Sequence, residues 1–183
     1  LHYCACLRLI DGGIPRAILE LTSALSTTGK SVKVFVTKGN DFPLPEVGVQ
    51  GMQTGPFDHS HSRFSAQRLA LLKQHIADAD ILHLHSPWEP ANMQLAKIAR
   101  EVATPYVVSM HGLVSDREMK TNPIKKRLTL RFGGRKFLHR AAVVHCDSQE
   151  GKKLCQRWIP KANAIIIPPV FNPSDYLAPP PTS

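Results

Sequence analysis

Residues 80–89 read DILHLHSPWE, a short apolar run that ends in a polar and aromatic loop. Two other runs follow the same plan: Tyr3–Leu9 leads into Asp11-Gly12-Gly13, and Tyr106–Ser109 leads into Met110-His111-Gly112. A helix-like segment follows each run, directly or after a loop. This repetition predicts strand–helix units in an open parallel sheet, which binds ligands at the carboxyl ends of its strands. We therefore expect the three loops to lie on one rim.

Hydrophobic periodicity extends this pattern along the whole chain. It predicts helices over 14–26, 64–76, 91–102 and 149–158, and strands over 32–36, 47–52, 81–84, 105–109, 142–146 and 164–167. The predicted fold class is α/β, with a Rossmann-like, open and mostly parallel sheet that carries helices on both faces. Residues 1–168 are expected to form this domain. The proline-rich residues 169–183 are expected to be a linker toward a further C-terminal domain.

The composition is that of a domain with one buried core. The chain has 183 residues, of which 43% are hydrophobic, and this size suffices for a single core. No apolar stretch is long enough to cross a bilayer, and we expect a cytoplasmic protein. The four cysteines show neither zinc-type spacing nor the density of a disulfide framework. Cys4 and Cys6 are expected to pack as small apolar residues in a reducing compartment.

The formal charge of +9 has its densest block between Lys120 and Arg140. Basic and apolar residues interleave there, and Pro123 suits the first turn of a helix. The pattern predicts a basic amphipathic helix that Gly133-Gly134 weakens in its middle. Two interpretations remain open. The helix either docks on an anionic membrane surface or packs its apolar stripe on the core. Nucleic acid is disfavoured, since no stacking platform or DNA-binding motif accompanies the charge.

The pair Gly12-Gly13 stands immediately before the first predicted helix. Glycine lets backbone amides approach an anion, and the helix N-terminus adds a favourable dipole, so the pair is a candidate phosphate site. Neither the dinucleotide fingerprint nor the P-loop pattern accompanies it. A simple tight turn is the alternative.

His83 and His85 are two apart and share one face of a predicted strand. Together with Asp58, His59 and His61 they could form a metal site, but the spacing typical of zinc motifs is missing. We therefore predict no metal. In the favoured interpretation the His83 side chain has its hydrogen bonds satisfied inside the fold, and His85 lies near the rim.

His111 is the strongest single candidate for a reactive group. It follows the predicted strand that ends at Ser109 and precedes Gly112, which places its ring over the expected cleft. Histidine at such a position can donate to a ligand oxygen or move a proton near neutral pH. A histidine satisfied inside the core is the alternative. Hydrolase chemistry has little support, because no Gly-x-Ser-x-Gly elbow is present.

Five segments carry a family resemblance: GGIPRAILEL (12–21), DILHLH (80–85), PYVVSMHGL (105–113), RAAVVHCDS (140–148) and IPPVFN (167–172). Together they resemble the family 4 glycosyltransferases, which have two Rossmann-like domains. The resemblance spans nearly all of the chain and covers only the N-terminal, acceptor-side domain of that family. Two departures stand out. Pro15 replaces an acidic residue, and Pro169-Val170 replaces an Asn-Gly pair.

The resemblance implies a retaining transferase that uses a nucleotide sugar as substrate, with no cofactor and no metal, and that builds polysaccharide or glycolipid. It implies that the amides of Gly12 and Gly13 face the donor diphosphate and that His111 contacts the transferred sugar. A sugar or lipid-linked acceptor would meet the loop residues Asp58, His59, His61, His85, Trp88 and Glu89. It also implies that this chain alone is inactive, because the paired glutamates that hold the donor belong to the second domain.

Two other functions fit the same residues. One is a non-enzymatic Rossmann-like module that binds a phosphorylated ligand or an anionic membrane surface through residues 120–140. The other is a different sugar enzyme, such as a nucleotide-sugar epimerase. A second Rossmann-like half with two glutamates about two helical turns apart would favour the transferase. A membrane role would place the protein at the inner face of the membrane.

Overall fold

Seven parallel strands form one sheet in the part of the chain that the computed structural model describes, which is residues 1–8, 10, 12–37, 49–53, 63–113 and 115–171. The strands are β1 (His2–Cys4), β2 (Lys33–Val36), β3 (Gln50–Gln53), β4 (Leu82–His85), β5 (Tyr106–Ser109), β6 (Val143–Cys146) and β7 (Ala164–Ile166). Their order is β3-β2-β1-β4-β5-β6-β7. The predicted α/β class with a Rossmann-like sheet is confirmed, and every strand pair is parallel.

The helices divide between the two faces of the sheet. They are α1 (Gly13–Thr27), α2 (Ala66–Ala77), α3 (Pro90–Glu101), α4 (Asp116–Lys120), α5 (Pro123–Thr129), α6 (Arg135–His139) and α7 (Gln149–Trp158). One apolar cluster joins Ile18 of α1 to Cys4, Val34 and Val36. The larger cluster joins residues of the later helices to the opposite face. Right-handed crossovers explain this division, because β1 to β2 runs one way along the sheet and β4 to β7 runs the other.

The first predicted run, Tyr3–Leu9, is too long, because β1 ends at Cys4; the other predicted boundaries agree with the observed ones to within a few residues. Helix α7 covers the predicted 149–158, and the Ser148 side chain caps it by accepting from the Gly151 amide at 3.0 Å. Strand β4 lies one residue later than predicted and includes His85. Residues 47–48 of a predicted strand and residues 172–183 of the predicted linker lie outside the described residues, so the domain boundary at 168 stays a prediction. Among the described residues no helix is long and apolar enough to cross a bilayer.

The predicted single helix over residues 120–140 is wrong. Helix α5 ends at Thr129, and a distorted turn over Leu130–Gly134 separates it from α6. Phe132 and Gly133 are non-helical, and Gly133 has φ 133°, a conformation that glycine adopts without steric cost. The pair of glycines therefore breaks the helix rather than weakening it.

The apolar residues of this segment do not form one core-facing stripe. Phe137 is buried in the core, as the packing interpretation requires. Ile124, Leu128 and Phe132 are instead 75%, 47% and 77% exposed. Because α5 and α6 are separate helices, the two groups of residues face different directions.

Candidate functional site

The carboxyl ends of β1, β4, β5 and β6 lie side by side, because these neighbouring strands are all parallel. The loops after β4 and β5 therefore share one rim with the loop before α1, as the sequence predicts. His111 follows β5 on this rim with φ 46°, and Gly112 follows with φ 68°. A positive φ on a residue other than glycine costs free energy and often marks a functional position.

A row of polar residues crosses the α1 face of the sheet beneath the rim. Strand register pairs His2 with His83, His85 with Ser109, and Ser109 with His145. Side chains at paired and alternating positions project from the same face of a sheet. These strands therefore bring together histidines that are up to 143 positions apart in the sequence, from His2 to His145.

One hydrogen-bonded chain leads to the rim. His85 Nε2 lies 3.2 Å from His2 Nδ1, and His85 Nδ1 lies 2.9 Å from His111 Nε2. A neutral imidazole has one donor and one acceptor nitrogen. His85 therefore donates to one neighbour and accepts from the other, and its tautomer determines the tautomer of His111. The hydrogen bonds among His2, His85 and His111 leave the Nδ1 atom of His111 available.

A second series of hydrogen bonds runs beside the first. His145 Nε2 lies 2.8 Å from the Ile167 carbonyl oxygen, so this nitrogen carries the hydrogen and donates. His145 Nδ1 then accepts from Ser109 Oγ at 2.7 Å, and Ser109 Oγ accepts from His83 Nε2 at 2.7 Å. Both nitrogens of His145 and one nitrogen of His83 are thereby fixed.

Burial disfavours the charged form of His2, His83, His85 and His111. It lowers the pKa of His2 to about 3 and holds the pKa values of His83 and His85 well below the usual 6.5. Burial also lowers the pKa of His111, and Asp147 acts in the opposite direction. Removing a charged group from water disfavours its charged form. At neutral pH His111 can therefore donate or accept a hydrogen bond, but it carries no positive charge.

Three of these histidines have nitrogens close enough for a metal ion, yet His85 among them already has both nitrogens hydrogen-bonded. One nitrogen from each of His2, His83 and His85 lies within 4.8 Å of the others. The His83 and His85 rings are stacked at 4.4 Å and 18°, and those of His2 and His85 at 5.5 Å and 16°. The His2 and His83 rings are tilted by 34° at 4.9 Å, so only the two pairs that include His85 are nearly parallel. Both nitrogens of His85 are engaged by His2 and His111, so in this arrangement the three side chains form a stack rather than an open set of ligands.

The glycine pair lies where the sequence predicts a phosphate site. Gly12 is exposed with φ 98°, and Gly13 is the first residue of α1. Among the described residues no side chain caps this helix end, and its first turn has no acidic residue. A Cβ atom at either glycine would meet nothing within 4 Å. The backbone amides at this end are thus open to a ligand.

The predicted acceptor residues have different surroundings. Asp58, His59 and His61 lie outside the described residues. His85 is 2% exposed with both ring nitrogens engaged, whereas an acceptor contact requires an exposed ring. Trp88 is half-buried, and Glu89 is the half-buried N-cap residue of α3.

Contacts on two sides hold Trp88 in place. Its Nε1 donates to the Leu113 carbonyl oxygen at 2.8 Å, and Lys126 Nζ lies 5.4 Å from the centre of its ring. Lys126 is only 13% exposed and forms an ion pair with Glu118 at 3.3 Å. One ring face is therefore covered by a cation, and the partly buried ring also packs against the apolar core.

A small cleft adjoins His111 on the rim. Its volume is about 210 Å³, and it extends from the loop after β5 to the N-terminus of α7. Its lining residues are Met110, Gly112, Ser115, Cys146, Asp147, Ser148, Glu150, Gly151 and Leu154. The cleft and the open end of α1 lie on the same rim.

A sequence model of the Glycosyl transferase 4-like domain matches residues 12–169, which is most of the chain. The chain belongs to the family 4 glycosyltransferases. The family predicted from the sequence is thereby confirmed.

Curated relatives and one solved structure agree with this assignment. Phosphatidyl-myo-inositol mannosyltransferase of Mycolicibacterium smegmatis is 31% identical over 108 residues, covering 56% of this chain and 28% of that protein. Its counterpart in Mycobacterium tuberculosis (strain H37Rv) is 29% identical over 109 residues, with the same coverage. The crystal structure of Anabaena Alr3699/HepE in complex with UDP and glucose has the same fold, with TM-score 0.69 and 14% identity over 96% of this chain. The chain spans 28% of the mannosyltransferases and 45% of the Anabaena protein.

The site of this glycosyltransferase domain contains residues that the sequence analysis did not single out. Asn92 is fully buried, and its Nδ2 donates to the carbonyl oxygens of His85 and Ser86, which holds the loop after β4. Ser109 and His145 belong to the second series of hydrogen bonds described above. In β4 polar and apolar residues alternate, which marks His83 and His85, whereas Ser109 and His145 are single polar residues in apolar strands and give a weaker signal.

Proposed function

We propose that this chain is the N-terminal domain of a retaining glycosyltransferase that takes its sugar from a nucleotide sugar. The observation that supports this most is the placement of His111. It stands on the rim with a positive φ, one ring nitrogen is held by His85, and the other remains available. Family membership supplies the reaction class.

In the proposed mechanism His111 contacts the sugar that is transferred. Its neutral ring offers Nδ1 to a sugar hydroxyl, and the His2–His85 chain fixes which tautomer is present. A positioned polar group of this kind contributes most when it is oriented before the substrate arrives. In this proposal His85 does not touch the acceptor but orients His111.

The donor diphosphate is proposed to bind at the start of α1. The amides of Gly12 and Gly13 are open there, and a helix N-terminus favours negative charge. The structure of α1 does not itself require glycine at position 13, because Cβ has free space and the conformation is helical. This supports a ligand-related reason for the residue. The nucleotide sugar is a substrate in this proposal, and no cofactor takes part.

The acceptor is proposed to be a sugar or a lipid-linked sugar, with polysaccharide or glycolipid as the product. The relatives named phosphatidyl-myo-inositol mannosyltransferase favour the lipid-linked form. Trp88 and Glu89 are proposed to line this pocket together with Asp58, His59 and His61. We further propose that the chain alone is inactive, because the groups that hold the nucleotide of the donor belong to another domain.

A peripheral membrane position is part of the proposal. Ile124, Leu128 and Phe132 are exposed next to basic side chains such as Lys125, which is the composition of a helix that lies on an anionic surface. This would hold the rim near a lipid-linked acceptor at the inner face of the membrane. Lys126 is not part of this surface, since it is held by Glu118.

A transfer assay tests the proposed function. The protein that contains this chain would be incubated with labelled nucleotide sugars and a membrane lipid extract, and the anomeric configuration of the product would be determined by NMR. We expect transfer from one of the nucleotide sugars with retention of configuration. No transfer and no binding of any nucleotide sugar would favour the non-enzymatic module, and epimerisation of the free donor would favour the epimerase.

A further inference from the structure

Three adjoining depressions lie on the surface formed by α4 to α7. The central one has a volume of about 210 Å³ and is lined by Arg127, Leu130, Arg131, Arg135 and Trp158. The larger one, of about 810 Å³, shares Leu130, Arg131 and Arg135 with it. Arg127, Arg131 and Arg135 follow one another at four-residue intervals, and although the helix breaks at Gly133 between the last two, all three line this depression. This arrangement concentrates three positive charges around one small cavity.

These arginines lack compensating partners. Among the described residues, no ion pair or side-chain hydrogen bond involves Arg127, Arg131 or Arg135, all three of which are exposed. Two other cations of this surface are paired: Arg157 lies 3.3 Å from Asp116, and Lys126 lies 3.3 Å from Glu118. Like charges four residues apart on a helix repel each other. The cavity therefore holds positive charge that nothing in the described part of the chain neutralises.

Trp158 adds a second, independent observation. Its Nε1 is buried and has no hydrogen-bond acceptor in the described structure. A buried donor without an acceptor costs free energy, and native proteins rarely contain one. Trp158 lines the same cavity as the arginines, and because its Nε1 is closed to solvent, the ring would have to shift on binding for this donor to reach an anionic oxygen held there.

We propose that Arg127, Arg131, Arg135 and Trp158 form a binding site for a phosphate group. Guanidinium groups match phosphate oxygens through paired hydrogen bonds, and several of them suit a dianionic phosphate. The phosphate has two possible sources, a soluble phosphorylated compound or the headgroup of an anionic lipid.

The site is separate from the proposed donor site. Trp158 ends α7, whereas Ser148 caps the same helix at the rim. A helix of this length spans about 15 Å. The proposal therefore does not rest on glycosyl transfer, and the two can fail independently.

Calorimetry with inorganic phosphate and pyrophosphate tests the site. We expect both to bind the chain and expect R127Q/R131Q/R135Q to bind at least about tenfold more weakly, because each lost charged hydrogen bond alone is worth that much. The matched control is K30Q/K153Q/K161Q, which removes the same charge from exposed lysines elsewhere and should bind as the wild type does. Equal weakening in both triple variants, or equal heat from potassium chloride at the same ionic strength, would overturn the proposal.

Trp158→Phe separates binding from folding. It removes the unpaired donor and keeps a smaller aromatic ring beside the core, so the effect of the ligand is measured against the variant's own unfolding temperature without ligand. The increase in unfolding temperature that pyrophosphate produces should be smaller than in wild type. An undiminished increase would remove Trp158 from the site, and the proposal in this form would be wrong.

Vesicle sedimentation distinguishes the two sources of phosphate. Vesicles of phosphatidylcholine with phosphatidic acid expose a phosphate monoester, and vesicles with phosphatidylserine of equal surface charge do not. A lipid headgroup is supported if wild type prefers phosphatidic acid and the arginine variant loses that preference. A soluble phosphorylated compound is supported if the chain binds pyrophosphate in solution and shows no preference between the vesicles. Binding to neither pyrophosphate nor phosphatidic acid contradicts the site.

Discussion

His85 Nδ1 lies 2.9 Å from His111 Nε2, and this contact joins a buried strand residue to the exposed rim of the sheet. The other nitrogen of His85 is occupied by His2. His111 thus has a defined ring orientation before any ligand binds. His85 therefore acts as a positioning residue for the ring of His111.

His85→Gln should lower kcat about tenfold to hundredfold and leave KM for the donor nearly unchanged. Glutamine can bond to one neighbour but cannot link His2 and His111 as an imidazole does, and lost orientation affects the transition state more than binding. The dependence of kcat on pH should shift as well, because His111 loses a partner. His139→Gln, at an exposed histidine, is the control. A loss of thermal stability with unchanged kcat and pH profile would make His85 merely structural.

Stability should fall as pH decreases below about 6.5. In the unfolded chain each histidine binds a proton near that pH, whereas burial lowers the pKa of His2, His83, His85 and His111 in the native state. The unfolded state then binds more protons, so acid favours it by up to about 1.4 kcal/mol per pH unit for each histidine. For His2 this continues down to about pH 3. Above about pH 6.5 both states are neutral and the effect vanishes.

Urea denaturation at about pH 7, 6 and 5 measures this effect. His139→Gln, at an exposed side chain outside the buried stack, is the control. A free energy of unfolding that is equal at about pH 7 and pH 5 would contradict the buried neutral stack.

Gly13→Ala should separate donor binding from stability. Cβ has free space and the backbone is helical, so stability should stay the same or rise by up to about 1 kcal/mol. KM for the nucleotide sugar should rise, because the new methyl group lies where the diphosphate is proposed to approach. Thermal unfolding and initial rates against donor concentration measure the two effects. An unchanged KM would place the donor elsewhere.

Sedimentation with phosphatidylcholine–phosphatidylglycerol vesicles tests the membrane surface. Wild type should sediment at low salt and less at moderate salt, since charge attraction is screened. Ile124→Ser/Phe132→Ser and Lys125→Glu should both reduce binding, because these side chains are exposed. Lys30→Glu changes charge at another exposed site and is the control. If all four proteins sediment equally, or none does, the membrane role is contradicted.

The sequence predicts the fold well because the strands are apolar and the helices are periodic. Helix α7 agrees residue for residue, and β4 differs by one position. The segment 120–140 is the main failure. Gly133 adopts a positive φ there, and helical periodicity continues across a break that only the backbone geometry reveals.

The site is harder to predict because it depends on strand register. The sequence places His83 and His85 on one face, but it does not indicate that His2 and His145 come from neighbouring strands to join them. A one-residue shift of β4 also moves His85 from the rim into the sheet. The burial of His85 and the tautomer of His111 follow from that register.

The central claim is that His111 contacts the transferred sugar, and turnover of His111→Asn in the protein that contains this chain tests it most directly. Asparagine tolerates the positive φ at this position, so the loop should keep its conformation while the imidazole is lost. The account predicts that kcat falls by about two to four orders of magnitude, with unfolding temperature unchanged. The kcat of His111→Ala should fall by the same factor. Turnover close to wild type in either variant would contradict the account.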